Sequence, residues 1–207
     1  MNLAELRTRV ETRAQDAGNR VFSGPEIDGY INDAYMDVAA ARYDWPFMET
    51  RRTQVTVAAG ATFTALPADV WHVAAVFNAT DGAPMDPIDG RNQARRIFPE
   101  PGSGAPTLYR VLGANLEVFP APAVATTIEL DAFAPPAELT GTAEPAFPRQ
   151  HHRILVSGAL SFLYEDDGNG EAAAGHRARF EQGIRRLEMD LFAPRSEGYS
   201  LIVDTGI

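Results

Sequence analysis

Apolar residues recur at helical spacing through the first quarter of the chain. Leucine, valine and alanine three or four residues apart predict a first helix over residues 3–17. A second run predicts a helix over residues 24–43, and its apolar positions are Ile27, Tyr30, Ile31, Ala34, Tyr35 and Val38. Ser23 and Glu26 have the spacing of a capping box, in which the glutamate reaches back to the backbone of the cap residue. The sequence therefore predicts an N-terminal helical pair.

The hydrophobic period changes to two in the middle of the chain. From Thr53, β-branched or aromatic residues alternate with small polar ones, and a turn is predicted at Ala59-Gly60. Residues 78–106 are rich in glycine and proline, so we expect irregular structure there, with a short helical turn over residues 91–97. Further strands are predicted at 107–112, 116–120 and 127–133.

Helical spacing returns at Pro148 and ends before Pro194. The polar run Glu-Asp-Asp-Gly-Asn-Gly-Glu, residues 165–171, divides this part into two helices, of which the second is predicted over residues 172–191. The remaining residues, 195–207, are apolar at their centre and predict an extended C-terminal tail.

This order of elements predicts an α+β fold. We expect the N- and C-terminal helical pairs to form a helical bundle, with a central antiparallel β-rich insertion and an extended C-terminal tail. The segments are expected at 1–47, 48–147, 148–193 and 194–207. Trp45 and Pro46 lie where the chain leaves the first helical pair. Trp45 has the surface area to seal this structural junction, and Pro46 stiffens the exit.

Composition and charge limit the functional classes to which this chain can belong. The chain has 28 acidic and 18 basic residues, a net charge of −10, and all its basic residues are arginine. Such a balance disfavours binding to nucleic acid, which is usually recognised by a basic surface. The absence of cysteine excludes disulfides and thiolate metal sites. We find neither a signal-peptide pattern nor an apolar run of ~20 residues, so we expect a protein that is made and kept in a cytosol, or assembled from one, and no membrane partner.

Two sequence features invite a metal interpretation, and both are weak. Adjacent residues on a helix point about 100° apart, so His151 and His152 cannot easily share one ion; we expect them on the surface of a first helical turn. Positions 1, 3, 5 and 6 of a candidate calcium loop are occupied by Glu165, Asp167, Asn169 and Gly170. Position 12, which should be glutamate, is His176. We therefore expect a plain helical hairpin turn and no metal.

No catalytic motif is present. The chain lacks a Gly-x-Ser-x-Gly nucleophile elbow and a glycine-rich phosphate loop. We therefore expect a protein that is not an enzyme and has no cofactor.

The tail allows two interpretations. Tyr199, Leu201 and Val203 alternate with Ser200, Ile202 and Asp204 after a proline and a glycine. The segment is either a last strand on the protein's own sheet or an arm that pairs with an exposed strand of another subunit.

With this order of elements, the chain resembles the head–tail connector, or adaptor, proteins of tailed bacteriophages. The resemblance covers most of residues 1–192 and is carried by degenerate, mainly apolar motifs. These are Ile31-Asn-Asp-Ala-Tyr35, Arg42-Tyr-Asp-Trp-Pro46, Leu66-Pro-Ala-Asp69, Tyr109-Arg-Val111, Leu116-Glu-Val-Phe-Pro120 and Pro148-Arg-Gln-His-His152 followed by Ile154-Leu-Val-Ser-Gly-Ala-Leu160.

The resemblance implies a structural virion protein at the neck. Such adaptors form a ring, commonly of twelve copies, that docks beneath the portal, extends the DNA channel and contacts tail or neck proteins. A C-terminal arm that reaches the portal is typical of the family, and here it would use Tyr199, Leu201, Ile202 and Val203. An acidic ring would let DNA pass without sequence-specific binding, because like charges oppose adsorption. The family has no catalytic residues.

Two other functions stay open at this point. The first is a tail-tube or tail-completion protein. The second, more distant, is a carbohydrate-binding module that uses Trp71 or Tyr109 as a platform. Because Trp71 lies in an alternating apolar run, we expect it in the core rather than on a binding surface.

Overall fold

The computed structural model describes residues 1–14, 21–80, 82–90 and 103–192, and over these residues the protein has an α+β fold. The helices lie at the two ends of this part of the chain and the strands between them, as the hydrophobic pattern predicts. The helices are α1 (Leu3–Ala14), α2 (Gly24–Ala40), α3 (Arg153–Asp166) and α4 (Gly170–Phe192). Short 3₁₀ turns at Pro46–Met48 and Arg149–His151 connect the helical and strand regions.

The strands form two four-stranded sheets, in the orders β1-β8-β3-β4 and β2-β7-β6-β5. Their bounds are β1 (Glu49–Val57), β2 (Phe63–Ala65), β3 (His72–Asn78), β4 (Ala83–Pro84), β5 (Asp86–Pro87), β6 (Leu108–Leu112), β7 (Asn115–Phe119) and β8 (Thr126–Phe133).

The expectation of a purely antiparallel β region is wrong in the second sheet. There β5 pairs with β6 in parallel, through Asp86 with Leu108 and Pro87 with Tyr109. The strands β5 and β6 are joined by a segment of about twenty residues, which is long enough for the crossover that a parallel pair requires. Every other pair of named strands is antiparallel.

The helices share one hydrophobic core. α2 and α1 pack on α3, and α3 packs along α4. Each helix contributes fully buried side chains to this core, among them Leu6 of α1, Ile31 of α2, Leu155 of α3 and Leu187 of α4. Burial of such a side chain stabilises the fold by about 1.5–3 kcal/mol.

A second core lies between the two sheets. Its buried side chains come from both sheets and include Val57 of β1, Leu116 and Val118 of β7, and Ile128 and Leu130 of β8. The alternation along β8 is complete, since every second residue from Thr126 is buried. This is the pattern expected of a strand with one face on a core.

The structure also defines the helix boundaries. α2 ends at Ala40, three residues before the predicted end, because the chain turns there to bring Trp45 into the helical core. Glu26 accepts hydrogen bonds from the Ser23 backbone N–H at 2.6 Å and from its hydroxyl at 2.7 Å, as the capping-box spacing predicts. Residues 15–17 and the predicted helical turn at 91–97 lie outside the described residues.

β1 begins four residues before the run that predicts it. Its pairing with β8 is irregular between Thr50 and Thr53, where Arg52 has a φ of +59°. Such a bulge interrupts the alternation of side chains, so the start of the strand has no period of two in the sequence. Within the described residues, no helix is both long enough and apolar enough to span a bilayer.

Candidate functional site

Trp45 lies at the junction between the helical and β parts of the molecule. Its side chain is fully buried, and its indole N–H donates a hydrogen bond to the Val38 carbonyl oxygen at 2.8 Å. Its ring stacks on Phe47 at 5.5 Å and contacts Phe192 at 5.8 Å between centroids. The residue thus joins the end of α2, the exit to β1 and the end of α4.

Pro46 lies beside Trp45 but on the surface. It begins the 3₁₀ turn that leads into β1, and the Met48 N–H closes this turn on the Trp45 carbonyl at 2.9 Å. The Met48 carbonyl accepts from the Ala134 N–H at 2.9 Å, just after β8. The chain therefore leaves and returns to the helical part at adjacent points.

Arg42 is a junction residue whose role the sequence does not indicate. Its guanidinium binds both carboxylate oxygens of Asp44, donates to Glu188 of α4 at 2.7 Å, and lies 3.9 Å from the centroid of the Phe192 ring. These hydrogen bonds lower the pKa of the Asp44 carboxyl group and raise that of Arg42. The only sequence signal is the spacing Arg-x-Asp before Trp-Pro, since Glu188 is distant in the chain.

The two adjacent histidines have separate partners. His152 is buried, and its Nε2 donates to the Phe147 carbonyl oxygen at 2.9 Å while its Nδ1 lies 2.8 Å from the Met1 amino group. The expectation that it lies on a helix surface is wrong, because the preceding 3₁₀ turn rotates its ring into the helical core. His151 contacts Asp190 of α4 through Nε2 at 2.8 Å.

The Glu-Asp-Asp-Gly-Asn-Gly run forms the turn between α3 and α4. Gly168 has a φ of +76°, a conformation that glycine adopts without steric cost. The side-chain oxygen of Asn169 accepts from the Ala172 N–H at 3.2 Å and so caps α4. Among the described residues, no three histidine or carboxylate groups converge on a position for a metal ion.

The two aromatic residues considered for carbohydrate binding lie in different environments. Tyr109 is buried in the core between the sheets, with 8% of its surface exposed. Trp71 is 45% exposed, so the expectation of a core position is wrong. Trp71 precedes β3 rather than lying within it, and its backbone N–H donates a hydrogen bond to the carbonyl oxygen of Phe133, the last residue of β8. The structure does not bring the two rings together as a platform.

Trp71 instead forms part of an apolar groove at one end of the β region. The apolar side chains that line the groove with it include Leu66, Pro67, Val70 and Val111. Val111 is 41% exposed, and Leu112 beside it is 51% exposed. Exposed apolar side chains that are grouped in this way are typical of surfaces that bind other proteins.

The predicted arm residues Tyr199, Leu201, Ile202 and Val203 lie outside the described residues. The described part of the chain ends at Phe192 of α4, whose ring contacts Trp45 at the junction.

Comparison with known families gives one result. A family model described as SU10 adaptor protein matches residues 1–200, which is nearly the whole chain and includes every helix and strand described above. A comparison with curated proteins found no match. The match agrees with the resemblance that the sequence motifs indicate. The chain therefore belongs to the SU10 adaptor protein family, a family of structural phage head–tail adaptors.

Proposed function

We propose that this chain is a virion neck protein that docks as a ring beneath the portal, extends the DNA channel and joins the capsid vertex to the tail. The observation that carries the proposal is the family match over residues 1–200. A structural role also agrees with the apolar groove around Trp71 and with the charged helix faces of the described residues.

The presence of two hydrophobic cores supports a connecting role. A ring subunit must contact its neighbours on two sides and other proteins above and below. We propose that residues 1–47 and 148–193 act as one helical bundle and residues 48–147 as a separate β unit, each with its own partners. Trp45 and Arg42 would hold the two halves of the helical bundle together at the point where the chain leaves for the β unit, since both link α2 to the end of α4.

We assign the portal contact to the C-terminal arm, residues 194–207. Tyr199, Leu201, Ile202 and Val203 are apolar enough to bind a partner, and a strand can add to an exposed sheet edge through backbone hydrogen bonds. Repetition of the arm around a ring, commonly of twelve copies, would make a weak contact durable. The net charge of −10 supports a channel through which DNA slides without adsorption.

A tail-tube or tail-completion protein is the second candidate, because the apolar groove around Trp71 suits a protein partner on the tail side as well as a neck partner. The carbohydrate-binding module has less support, since Tyr109 is buried and Trp71 has no second aromatic platform beside it among the residues described.

The test is cryo-EM of the protein mixed with purified portal from the same virus. We expect a ring of this chain that is coaxial with the portal and leaves a central channel open. Portal imaged alone is the control for density that belongs to the portal itself. Rings that stack on one another or cap tail tubes, and leave the portal bare, would favour the tail-tube alternative.

A further inference from the structure

The outward face of α4 carries a stripe of arginine side chains in a protein that is acidic overall. The face opposite to the stripe is buried through Phe180 and Leu187. Helical geometry places residues three and four apart on one side of a helix, so the stripe is continuous along α4. It consists of Ala178, Arg179, Gln182, Arg185, Arg186 and Met189, which line one shallow surface. None of these six side chains carries a carboxylate; the acidic residues of this part of α4, Glu181, Glu188 and Asp190, lie outside the lining.

The positive charge of this arginine stripe is poorly neutralised within the chain. Arg185 has one carboxylate in range, Glu181 at 4.0 Å, and both side chains are more than half exposed, so the pair is weak. Over the described part of the chain, no carboxylate lies within ion-pair distance of Arg179 or Arg186. Arg42, in contrast, is held by two carboxylates. The stripe is therefore available to an acidic partner.

The composition of the stripe favours a protein partner over nucleic acid. Met189 lies at its C-terminal end, with 61% of its surface exposed. Methionine and arginine are both enriched where proteins contact each other, whereas a phosphate backbone makes no use of a thioether. Gln182 adds a side chain that can donate and accept hydrogen bonds.

The chain itself presents an acidic surface of the required kind. The turn between α3 and α4 exposes Glu165, Asp167 and Glu171. Within one copy, Glu171 lies eight residues before Arg179, the first arginine of the stripe, or roughly 12 Å along the helix axis, so the turn lies beyond ion-pair distance of the stripe of its own chain.

We propose that the arginine stripe of one copy docks on the acidic α3–α4 turn of a second copy. The two surfaces are different, so the contact is heterologous and each copy keeps one free stripe and one free turn. Such a contact repeats from copy to copy and closes into a ring when the rotation between copies permits. The inference rests on the proposed ring and names the two surfaces that form it.

The test is charge reversal followed by rescue, measured by sedimentation velocity at low and at high salt. The variant R179E/R186E should lose the fast-sedimenting species, and so should E165R/E171R. The combined variant, R179E/R186E/E165R/E171R, should regain it, because the charges are again complementary. The wild-type species should weaken at high salt, since ions screen exposed charges. The control R51E/R149E changes two exposed arginines away from α4 by the same net charge and should assemble like the wild type.

Several outcomes would overturn the proposal. A wild-type chain that stays monomeric, or a combined variant that is not rescued, would show that these surfaces do not meet. Assembly of R179E/R186E at wild-type strength, with loss of binding to duplex DNA, would make the stripe a DNA contact instead. If the wild-type chain is monomeric but still forms a coaxial complex with portal, the adaptor function stands and only the contact between copies is wrong.

Discussion

Gly158 of α3 lies so close to Ala34 of α2 that a methyl group added to Gly158 would be 2.6 Å from the Ala34 Cβ. The same methyl group would be 2.8 Å from a ring carbon of Phe180 in α4. Contacts this short do not occur between carbon atoms, so three helices meet at a point that has room for glycine alone. The close packing of α2, α3 and α4 at this point therefore depends on the missing side chain of Gly158.

We expect Gly158→Ala to lower the free energy of unfolding by about 1–3 kcal/mol, the usual cost of overpacking a core. Gly175→Ala is the matched control, because Gly175 lies in α4 with no atom within 4 Å of the added methyl group. There the helix propensity of alanine should raise stability by roughly 0.5–1 kcal/mol. Urea denaturation measures the free energy of unfolding of both variants. If the two substitutions change it in the same direction, the packing explanation is contradicted.

The two tryptophans should differ sharply in their contribution to stability. Trp45→Ala should lower the free energy of unfolding by ~3–5 kcal/mol, because it removes a fully buried ring and its hydrogen bond to Val38. Trp71→Ala should change it far less, since Trp71 is nearly half exposed. Thermal melts of the two variants give the comparison. A Trp45→Ala melt within about 1 °C of the parent would mean that Trp45 does not stabilise the core.

Glu117 and Arg110 form a buried ion pair across β6 and β7. The two residues lie directly opposite each other on the paired strands, and the Arg110 Nη2 is 2.5 Å from the Glu117 Oε2. Only 1% of the Glu117 side chain is exposed. Glu117→Gln removes the charge that balances Arg110 and should cost about 3–5 kcal/mol of stability. The control is Glu49→Gln, which breaks an exposed pair with Arg51 and should have little effect. If chemical denaturation shows that both variants lose the same free energy of unfolding, burial does not determine how much an ion pair stabilises this protein.

His152 should make the protein less stable in weak acid. Burial lowers the pKa of its imidazole below the ordinary value of about 6.5, so the unfolded chain binds a proton more readily than the folded one. Stability is therefore retained above about pH 6.5 and falls as the pH drops below it. The pKa of His176 is also lowered by burial, and it adds to the slope in the same direction.

The measurement is the melting temperature from about pH 8 to pH 5. His152→Gln keeps a side-chain N–H for the Phe147 carbonyl but does not titrate, so its profile should be flatter than that of the wild type. Parallel profiles for the two proteins would rule out a contribution from His152.

Deletion of residues 195–207 should separate folding from docking. We expect the melt of the isolated protein to be nearly unchanged and co-sedimentation with purified portal to be lost, because the arm is proposed to bind the portal rather than its own sheet. A truncated chain that unfolds much earlier would show that the tail belongs to the core of the protein. A truncated chain that still co-sediments like the full chain would show that the arm is not the anchor.

The hydrophobic pattern by itself determined the helices and the longer strands of the described residues, but not the short strands β4 and β5, which lie in the stretch expected to be irregular. Ile27, Ile31 and Val38 form the buried face of α2, and the alternation along β8 matches its burial residue by residue. Such periods are local, because each element turns the same side chains toward a core wherever that core lies. The family motifs depend on the same apolar positions, which is why the resemblance could be seen in the sequence.

Only the tertiary structure decided which individual residues at the ends of these elements are buried and what they contact. Trp45 and Trp71 both stand beside apolar runs, yet Trp45 is buried because Phe192, distant in the chain, packs against it, while Trp71 is left exposed just before the start of β3. His152 is buried by the 3₁₀ turn before α3, and Glu188 reaches Arg42 only because α4 returns to the end of α2. The parallel pairing of β5 with β6 likewise depends on which strands meet. A local period shows which face of an element is buried, but it does not show which other element packs on that face. The contacts between distant segments depend on that packing, so only the tertiary structure shows them.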